Sequence, residues 1–249
     1  MHDSGDLLLD TNTDFDHFQV WNQIYDGRKA RVLYSGPGNA AQSGIALDGK
    51  PDLLFDYNQR FFELVTSTRP RSLLLIGGGM YTLPTALLRV IPEIEIDVVE
   101  IDSGLDPIAE KYFGLVPDNR LHIIHTDGRQ YLQQLSKSYD LILVDAFNHL
   151  TIPKTLTDRP ALKLLSEHVS ARGMVGFNVI SAYLGKGNEL LLSLIEDYKI
   201  YFNLVDIFPA SRSLSLWLPQ NLLLIAQKGK SRPLEEYLRY PRLTPTPEI

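Results

Sequence analysis

Short apolar runs alternate with amphipathic segments along the chain from Arg71 onward. We interpret the runs as strands at 71–76, 95–101, 121–125, 139–145, 173–180, 202–208 and 221–227. Between them, apolar residues recur at intervals of three and four positions, which predicts helices at 82–90, 103–113, 128–137, 158–170 and 186–200. This alternation is typical of a parallel sheet with helices on both faces.

The last two predicted strands are joined by PASRSLSLWLPQN, which leaves no room for a clear crossover helix. We therefore expect strand 221–227 to run antiparallel to strand 202–208. The predicted fold class is α/β, a seven-stranded methyltransferase-like Rossmann sheet rather than a dinucleotide-binding one. Trp217 lies in this terminal connection and is interpreted as a core residue rather than a lid over the substrate.

The region before the alternating pattern differs from it. Apolar and β-branched pairs in 28–50 are interrupted by SGPGN and LDGKP, which predicts a small β-hairpin unit leading into a helix at about 54–68. We divide the chain into an N-terminal segment with this hairpin (1–50), a Rossmann catalytic domain (51–230) and a Pro-rich tail (231–249).

Composition excludes several classes of site and partner. With no cysteine there is no disulfide, thiolate metal site or cysteine nucleophile, and the six histidines have no recognisable ligand spacing, so no metal is expected. The start of the chain is acidic, and no apolar run approaches the roughly 20 residues that span a bilayer. A net charge of -6 lacks the basic footprint of a nucleic-acid binder. We expect a soluble cytoplasmic protein that binds neither nucleic acid nor membrane.

Residues suited to ligand binding follow successive predicted strands, where open α/β sheets form their binding crevice. Gly77, Gly78 and Gly79 follow the first strand and let the backbone approach a ligand closely. Thr82 replaces the last glycine of a G-x-G-x-x-G motif, so this cluster alone could be a tight turn. Glu100 ends the second strand about twenty residues later, where a carboxylate can accept hydrogen bonds from both ribose hydroxyls. The alternative is a solvated carboxylate at a strand end.

Two more carboxylates follow the next strands. Asp127 could cap a helix, accept a hydrogen bond from an exocyclic amine such as that of adenine, or do both. Asp145 follows an apolar strand and precedes a segment without a helix pattern, which suits acid–base chemistry. Together these residues predict a nucleoside-binding crevice, but they do not distinguish a nicotinamide cofactor from a sulfonium one.

Four motifs resemble the spermidine synthase family of aminopropyltransferases in order and spacing: LLLIGGGMYTLP, DVVEID, HTDGRQYL and YDLILVDAFNHLTIPKTLT. QSGIALDG and LLFDYNQ are similar to the hairpin and helix that precede the catalytic domain in that family. The resemblance covers roughly residues 30 to 228 and is strongest to the divergent bacterial spermidine-synthase-like branch. It implies an S-adenosylmethionine-type catalytic domain, a homodimer or higher homo-oligomer, and a role in polyamine biosynthesis.

The resemblance also implies roles for individual residues. Asp145 matches the catalytic aspartate that deprotonates and orients the substrate amine, and Tyr57 matches an active-site tyrosine. The substrate amine is expected beside Tyr57, Asn58 and Asn148. The cofactor, decarboxylated S-adenosylmethionine or S-adenosylmethionine, is expected to contact Gln42, Gly77, Gly78, Gly79, Met80, Glu100, Ile101, Asp127, Gly128 and Asp145.

Three positions depart from the family pattern. Met80 replaces an aspartate that faces the aminopropyl group, Asn148 replaces a carboxylate on the substrate side, and Asn58 replaces a glutamine or histidine. Two negative charges are missing, and burying an ammonium group without a partner is costly, so putrescine is in doubt as the acceptor. Three hypotheses stay open: aminopropyl transfer to an amine, methyl transfer from intact S-adenosylmethionine, and a non-catalytic nucleoside-binding protein.

Overall fold

A computed structural model describes residues 5–36, 40–49, 53–147, 151–211 and 215–229 of the chain. The assumed tail, 231–249, lies outside these residues. Within the described ranges, no helix is long and apolar enough to cross a membrane.

The N-terminal unit is a four-stranded antiparallel sheet in the order β1-β2-β3-β4. Its strands are β1 (Asp6–Asn12), β2 (His17–Tyr25), β3 (Arg28–Ser35) and β4 (Ala40–Ala46). The predicted hairpin corresponds to β3 and β4, which pair antiparallel. The sequence prediction missed β1 and β2, so this unit is larger than expected.

The second sheet has seven strands in the order β10-β11-β9-β8-β5-β6-β7, which confirms the predicted fold class. The strands are β5 (Ser72–Ile76), β6 (Glu95–Glu100), β7 (Leu121–His125), β8 (Tyr139–Val144), β9 (Val169–Ser181), β10 (Leu204–Pro209) and β11 (Gln220–Gln227). Strands β5 to β9 are parallel, and β11 is antiparallel to both of its neighbours, β9 and β10. The predicted antiparallel ending is therefore confirmed.

The helices lie close to their predicted positions. They are α1 (Asp56–Thr68), α2 (Thr82–Val90), α3 (Leu105–Ile108), α4 (Gly128–Gln134), α5 (Lys154–Thr157), α6 (Arg159–His168) and α7 (Glu189–Tyr201). The predicted helix 103–113 is a short α3 that continues as a π-helical turn, Ala109–Phe113. The sequence prediction missed α5.

Alternate side chains of the central strand enter two apolar clusters. Leu73 and Leu75 of β5 belong to one cluster, while Leu74 and Ile76 belong to the other. Burial on both faces explains why this strand is a continuous apolar run rather than an alternating one. The strand order reverses between β5 and β8, and in open α/β sheets the ligand crevice lies at that reversal, beyond the carboxyl ends of the strands.

Trp217 lies on the surface. The prediction from the sequence that it is a core residue is therefore wrong. Its side chain is 64% exposed and lies against Gly185. A tryptophan in a loop belongs to no periodic pattern from which its burial could be predicted.

Candidate functional site

A cavity of about 740 Å³ lies at the carboxyl ends of β5, β6 and β8 and is also lined by residues of the N-terminal sheet. The residues expected there from the sequence and present in its wall are Gln42, Tyr57, Asn58, Gly77, Gly78, Gly79, Glu100, Ile101, Asp127, Gly128 and Asp145. Residues separated by more than a hundred positions in the chain therefore meet around a single space. Its volume is in the range of small-molecule sites.

The glycine loop after β5 approaches the end of β8 too closely for a side chain. Gly77 has φ of 98°, and a Cβ atom there would lie 2.3 Å from the carbonyl oxygen of Asp145. Its N–H donates to the carbonyl of Val99, while the N–H of Asp145 donates to Ile76. The first glycine is therefore required by the approach of three neighbouring strands.

Glu100 holds this loop with its carboxylate. Its Oε2 accepts hydrogen bonds from the N–H groups of Gly78 and Gly79 at 2.7 and 3.2 Å, and its Oε1 accepts one from Asp102 at 2.9 Å. Burial raises the pKa of Glu100, although these backbone hydrogen bonds oppose the shift. Glu100 is 7% exposed and lines the cavity, so it is not the solvated carboxylate of the alternative interpretation.

Asp127 caps α4 and also lines the cavity. Its Oδ1 accepts hydrogen bonds from the backbone N–H groups of Arg129 and Gln130 at 2.8 and 3.0 Å. Gly128 follows it, and a Cβ atom there would lie 2.6 Å from a side-chain carbon of Ile76. The cap fixes the carboxylate beside the cavity, so both predicted roles remain compatible.

Asp145 is the first residue after β8, and its carboxyl group lies between two hydrogen-bond donors. Asn178 Nδ2 donates to its Oδ1 at 2.8 Å, and the Tyr57 side chain forms a second hydrogen bond with the carboxyl group. Burial raises the pKa of Asp145 to about 7, while both hydrogen bonds lower it. The pKa of Tyr57 is also raised, first by burial and then by the charge of Asp145. A carboxyl group that titrates near neutral pH can both accept and release a proton there.

The sequence analysis missed Asn178. It lies in β9, within the run VGFNVIS, and is only 1% exposed. The register of the parallel β8–β9 ladder explains its position: Val144 pairs with Phe177, which brings the next residues, Asp145 and Asn178, side by side. The signal present in the sequence was a lone amide within an apolar strand.

Met80 does not contact the cavity, contrary to the prediction. Its side chain is fully buried in the apolar cluster that also contains Leu33 and Leu83. The physical reason is the turn of the loop, in which Gly79 and Tyr81 both have positive φ and the Met80 side chain is turned into the core. Its backbone N–H donates to Ser43 Oγ at 3.2 Å. Asn148, the other substituted position, lies outside the described residues.

The N-terminal sheet closes one side of the cavity. Phe15, Phe18 and Ser43 contribute to the wall. Thr13 Oγ1 donates to Asp102 Oδ2 at 2.6 Å, and Asp102 Oδ1 accepts from the N–H of Gly104 at 2.9 Å. The hydrogen bond between Thr13 and Asp102 joins the β1–β2 turn to the loop after β6.

The charged groups in the described wall of the cavity are mostly negative. They comprise the carboxylates Asp16, Glu100, Asp102, Asp127 and Asp145 and a single amine, that of Lys154. Among the residues that the structure describes, no group of three or more His, Asp or Glu side chains could hold a metal ion. The wall therefore suits a ligand that is positively charged.

Sequence comparison matches the central part of the chain to a family model. The spermine/spermidine synthase domain matches residues 61–182, which include the glycine loop, Glu100, Asp127, Asp145 and Asn178. A polyamine aminopropyltransferase of Vibrio vulnificus (strain CMCP6) is 35% identical over 121 residues, covering 47% of this chain and 40% of that protein. Putrescine N-methyltransferase 1 of Nicotiana tabacum is 28% identical over 212 residues, covering 74% of this chain and 56% of that protein. The chain thus aligns with only about half the length of these relatives or less.

Solved structures share the fold at low sequence identity. A probable spermidine synthase from Corynebacterium glutamicum ATCC 13032 superposes with a TM-score of 0.77 at 16% identity, covering 91% of this chain and 82% of that one. A spermidine synthase in complex with the transition state analogue AdoDATO superposes with a TM-score of 0.71 at 14% identity, covering 90% and 74%. At such identities the likeness concerns the fold alone.

Proposed function

We propose that the chain transfers an aminopropyl group from decarboxylated S-adenosylmethionine to an amine, because residues 61–182 match the spermine/spermidine synthase domain. The observation that carries this proposal is the placement of Asp145. Its carboxylate, bound by Tyr57 and Asn178, lines the same cavity as the Glu100–glycine loop. In this proposal, the base and the nucleoside site share one cavity.

In this proposal, Glu100 and Asp127 bind the nucleoside. Glu100 accepts hydrogen bonds from the ribose hydroxyls with the lone pairs that the backbone leaves available, since each carboxylate oxygen can accept more than one bond. Asp127 accepts a hydrogen bond from the adenine amine. The N–H groups of Gly78 and Gly79 are already bound to Glu100, so the glycines contribute close approach of the backbone rather than free donors.

Asp145 and Tyr57 act on the acceptor amine. The sulfonium supplies an activated carbon and leaves as the neutral thioether methylthioadenosine when the new C–N bond forms and the C–S bond breaks. Asp145 orients the amine and accepts the proton that its nitrogen loses. Tyr57 fixes the carboxylate of Asp145 and borders the amine. Alignment of the amine nitrogen with the carbon next to the sulfonium supplies most of the acceleration.

The charge of the cavity favours the decarboxylated cofactor. Intact S-adenosylmethionine carries a carboxylate, which would enter a wall that holds five carboxylates and only one amine among the described residues. Like charges at short range in a poorly solvated site repel each other strongly. The decarboxylated form carries positive charge at both the sulfonium and the amine.

Methyl transfer from intact S-adenosylmethionine is the second candidate. It is favoured by Met80, which leaves the glycine loop without the acidic residue that faces the aminopropyl group in the family pattern. A relative named as a putrescine N-methyltransferase is also consistent with it.

Product analysis tests the proposal and separates the two candidates. The purified protein is incubated with each sulfonium compound and a panel of mono-, di- and polyamines, and the nucleoside product is identified by mass spectrometry. Aminopropyl transfer releases methylthioadenosine, whereas methyl transfer releases S-adenosylhomocysteine. Tight binding of both compounds without any product would contradict catalysis and support a non-catalytic nucleoside-binding protein.

We also propose that the protein assembles as a homodimer or higher homo-oligomer, as the family resemblance implies. Light scattering coupled to size-exclusion chromatography measures the mass directly. A mass equal to the 28.2 kDa of one chain at micromolar concentration would contradict this proposal.

A further inference from the structure

Asn178 is placed behind Asp145 as viewed from the cavity. It lies one residue beyond Phe177, whose register partner in β8 is Val144. Its Nδ2 donates to Asp145 Oδ1 at 2.8 Å. Unlike Asp145 and Tyr57, Asn178 is not part of the described cavity wall, so it reaches the cavity through the aspartate alone.

Packing alone does not explain an asparagine at this position. The side chain is 1% exposed within an apolar strand, and its Oδ1 has no hydrogen-bond partner in the described structure. A buried unsatisfied acceptor destabilises a protein, and an apolar side chain of similar size would avoid that cost. The amide therefore has a role that depends on its N–H group.

We propose that Asn178 is a positioning residue, which holds one oxygen of Asp145 from behind so that the other oxygen faces the bound amine. This inference rests on the proposed function, because it assigns Asp145 as the group that accepts the proton. Asn178 itself does not touch the substrate. Tyr57 binds the same carboxyl group from α1, so the two donors fix its orientation together.

The hydrogen bond from Asn178 also stabilises the charged form of Asp145. Among the described residues, the titratable group that contacts Asp145 is Tyr57. Glu100, Asp102 and Asp127 border the same cavity but are bound to backbone N–H groups of other loops. Removal of the Asn178 donor is therefore expected to raise the pKa of Asp145, because burial then acts against one hydrogen bond instead of two.

The test compares Asn178→Leu with the wild-type protein and with Val179→Ala as the matched control. Leucine has a similar branched shape but no donor, whereas Val179 is a fully buried neighbour in β9 that belongs to the apolar cluster on the other face. Asn178→Ala serves as a second variant if leucine prevents folding, which melting curves establish. The side-chain carboxyl of Asp145 is titrated by NMR in protein carrying ¹³C-labelled aspartate, and its resonance is assigned by its loss in Asp145→Asn.

The expected result is an upward shift of the Asp145 titration midpoint by about one pH unit in the folded Asn178 variant, with no shift in the control. The acid limb of kcat/KM should move by the same amount, so that activity lost at neutral pH returns in part at higher pH. A merely structural role would lower the rate equally at every pH. An unchanged midpoint in a folded variant would overturn the inference.

The two readouts separate this inference from the proposed function. If the wild-type protein shows no turnover with any amine, the proposed function fails, and the NMR titration still shows whether Asn178 controls Asp145. If the wild-type protein turns over and the Asn178 variants keep its pH profile, the inference fails alone.

Discussion

The Oε2 atom of Glu100 accepts a hydrogen bond from the backbone N–H of Gly78 at 2.7 Å. The same side chain binds Gly79 through Oε2 and Asp102 through Oε1. A single carboxylate at the end of β6 therefore fixes the loop after β5 and the loop after its own strand. In the proposed function, ligand binding and loop structure both depend on this side chain.

Glu100→Ala should weaken binding of every adenosine-bearing ligand by at least about tenfold, because a hydrogen bond to a charged group is worth roughly 1.5 to 3 kcal/mol. The protein should also melt at a lower temperature, because Gly78 and Gly79 lose their acceptor. Calorimetry with methylthioadenosine and both sulfonium compounds measures the affinities. Glu95→Ala is the matched control, since Glu95 is an exposed residue at the opposite end of the same strand. Equal affinities for the Glu100 variant and the control would place Glu100 outside the binding site.

Asp145→Asn should lower turnover by about two to four orders of magnitude while cofactor affinity changes little, because the amide keeps the shape but cannot accept the proton. In the wild-type protein, kcat/KM should rise as the pH passes through about 7, where Asp145 loses its proton. Steady-state kinetics across pH measure both effects. An Asn variant with wild-type turnover would exclude Asp145 as the base.

The same substitution should change how stability depends on pH. The pKa of Asp145 is raised to about 7 in the folded protein, so the folded state binds a proton more tightly than the unfolded state. Its contribution therefore becomes destabilising as the pH rises from the ordinary carboxyl pKa to about 7, and it is constant above that. The stability of Asp145→Asn relative to wild type should increase by roughly 2 to 3 kcal/mol between about pH 5 and about pH 8.

Urea unfolding at the two pH values measures this difference. Other titrating groups are common to both proteins and cancel in the comparison. A difference in stability that is independent of pH would mean that the Asp145 carboxyl group has an ordinary pKa in the folded state.

Met80→Asp should destabilise the protein by about 3 kcal/mol or more, because it places a carboxylate in an apolar core. Met80→Leu keeps the volume and should cost less than about 1.5 kcal/mol. Chemical unfolding of both variants measures the effect. This expectation replaces the prediction from the sequence that Met80 contacts the cofactor. A stable Asp variant with a changed preference between the two sulfonium compounds would restore that earlier prediction.

Three of the cavity carboxylates were predictable because strand order brings them together. Glu100, Asp127 and Asp145 each follow a predicted parallel strand, and parallel strands end at the same edge of a sheet. Placement of these residues needed only the correct strands, which their apolar runs identified. Their individual partners, such as Gly78 for Glu100, depend on loop conformation and were not predictable from the sequence.

The direction of the Met80 side chain and the role of Asn178 depend on three-dimensional detail. Met80 follows Gly79 in a loop whose positive φ angles are not encoded by any periodicity. Asn178 becomes meaningful only through the register of β8 and β9. In the N-terminal sheet, β2 does alternate, since Phe18 and Val20 are buried between more exposed neighbours, but acidic residues on either side obscured this strand signal.

The position of β11 inside the sheet has a consequence for the order in which the protein can fold during synthesis. Among the strands that the structure describes, β11 is the only neighbour of β10 and separates it from β9. While the ribosome has released β10 but not residues 220–227, both β9 and β10 expose unpaired hydrogen-bonding edges, which can pair with other chains. Chains that end before Gln220 are therefore expected to associate with chaperones, whereas chains that also present β11, Gln220–Gln227, are not.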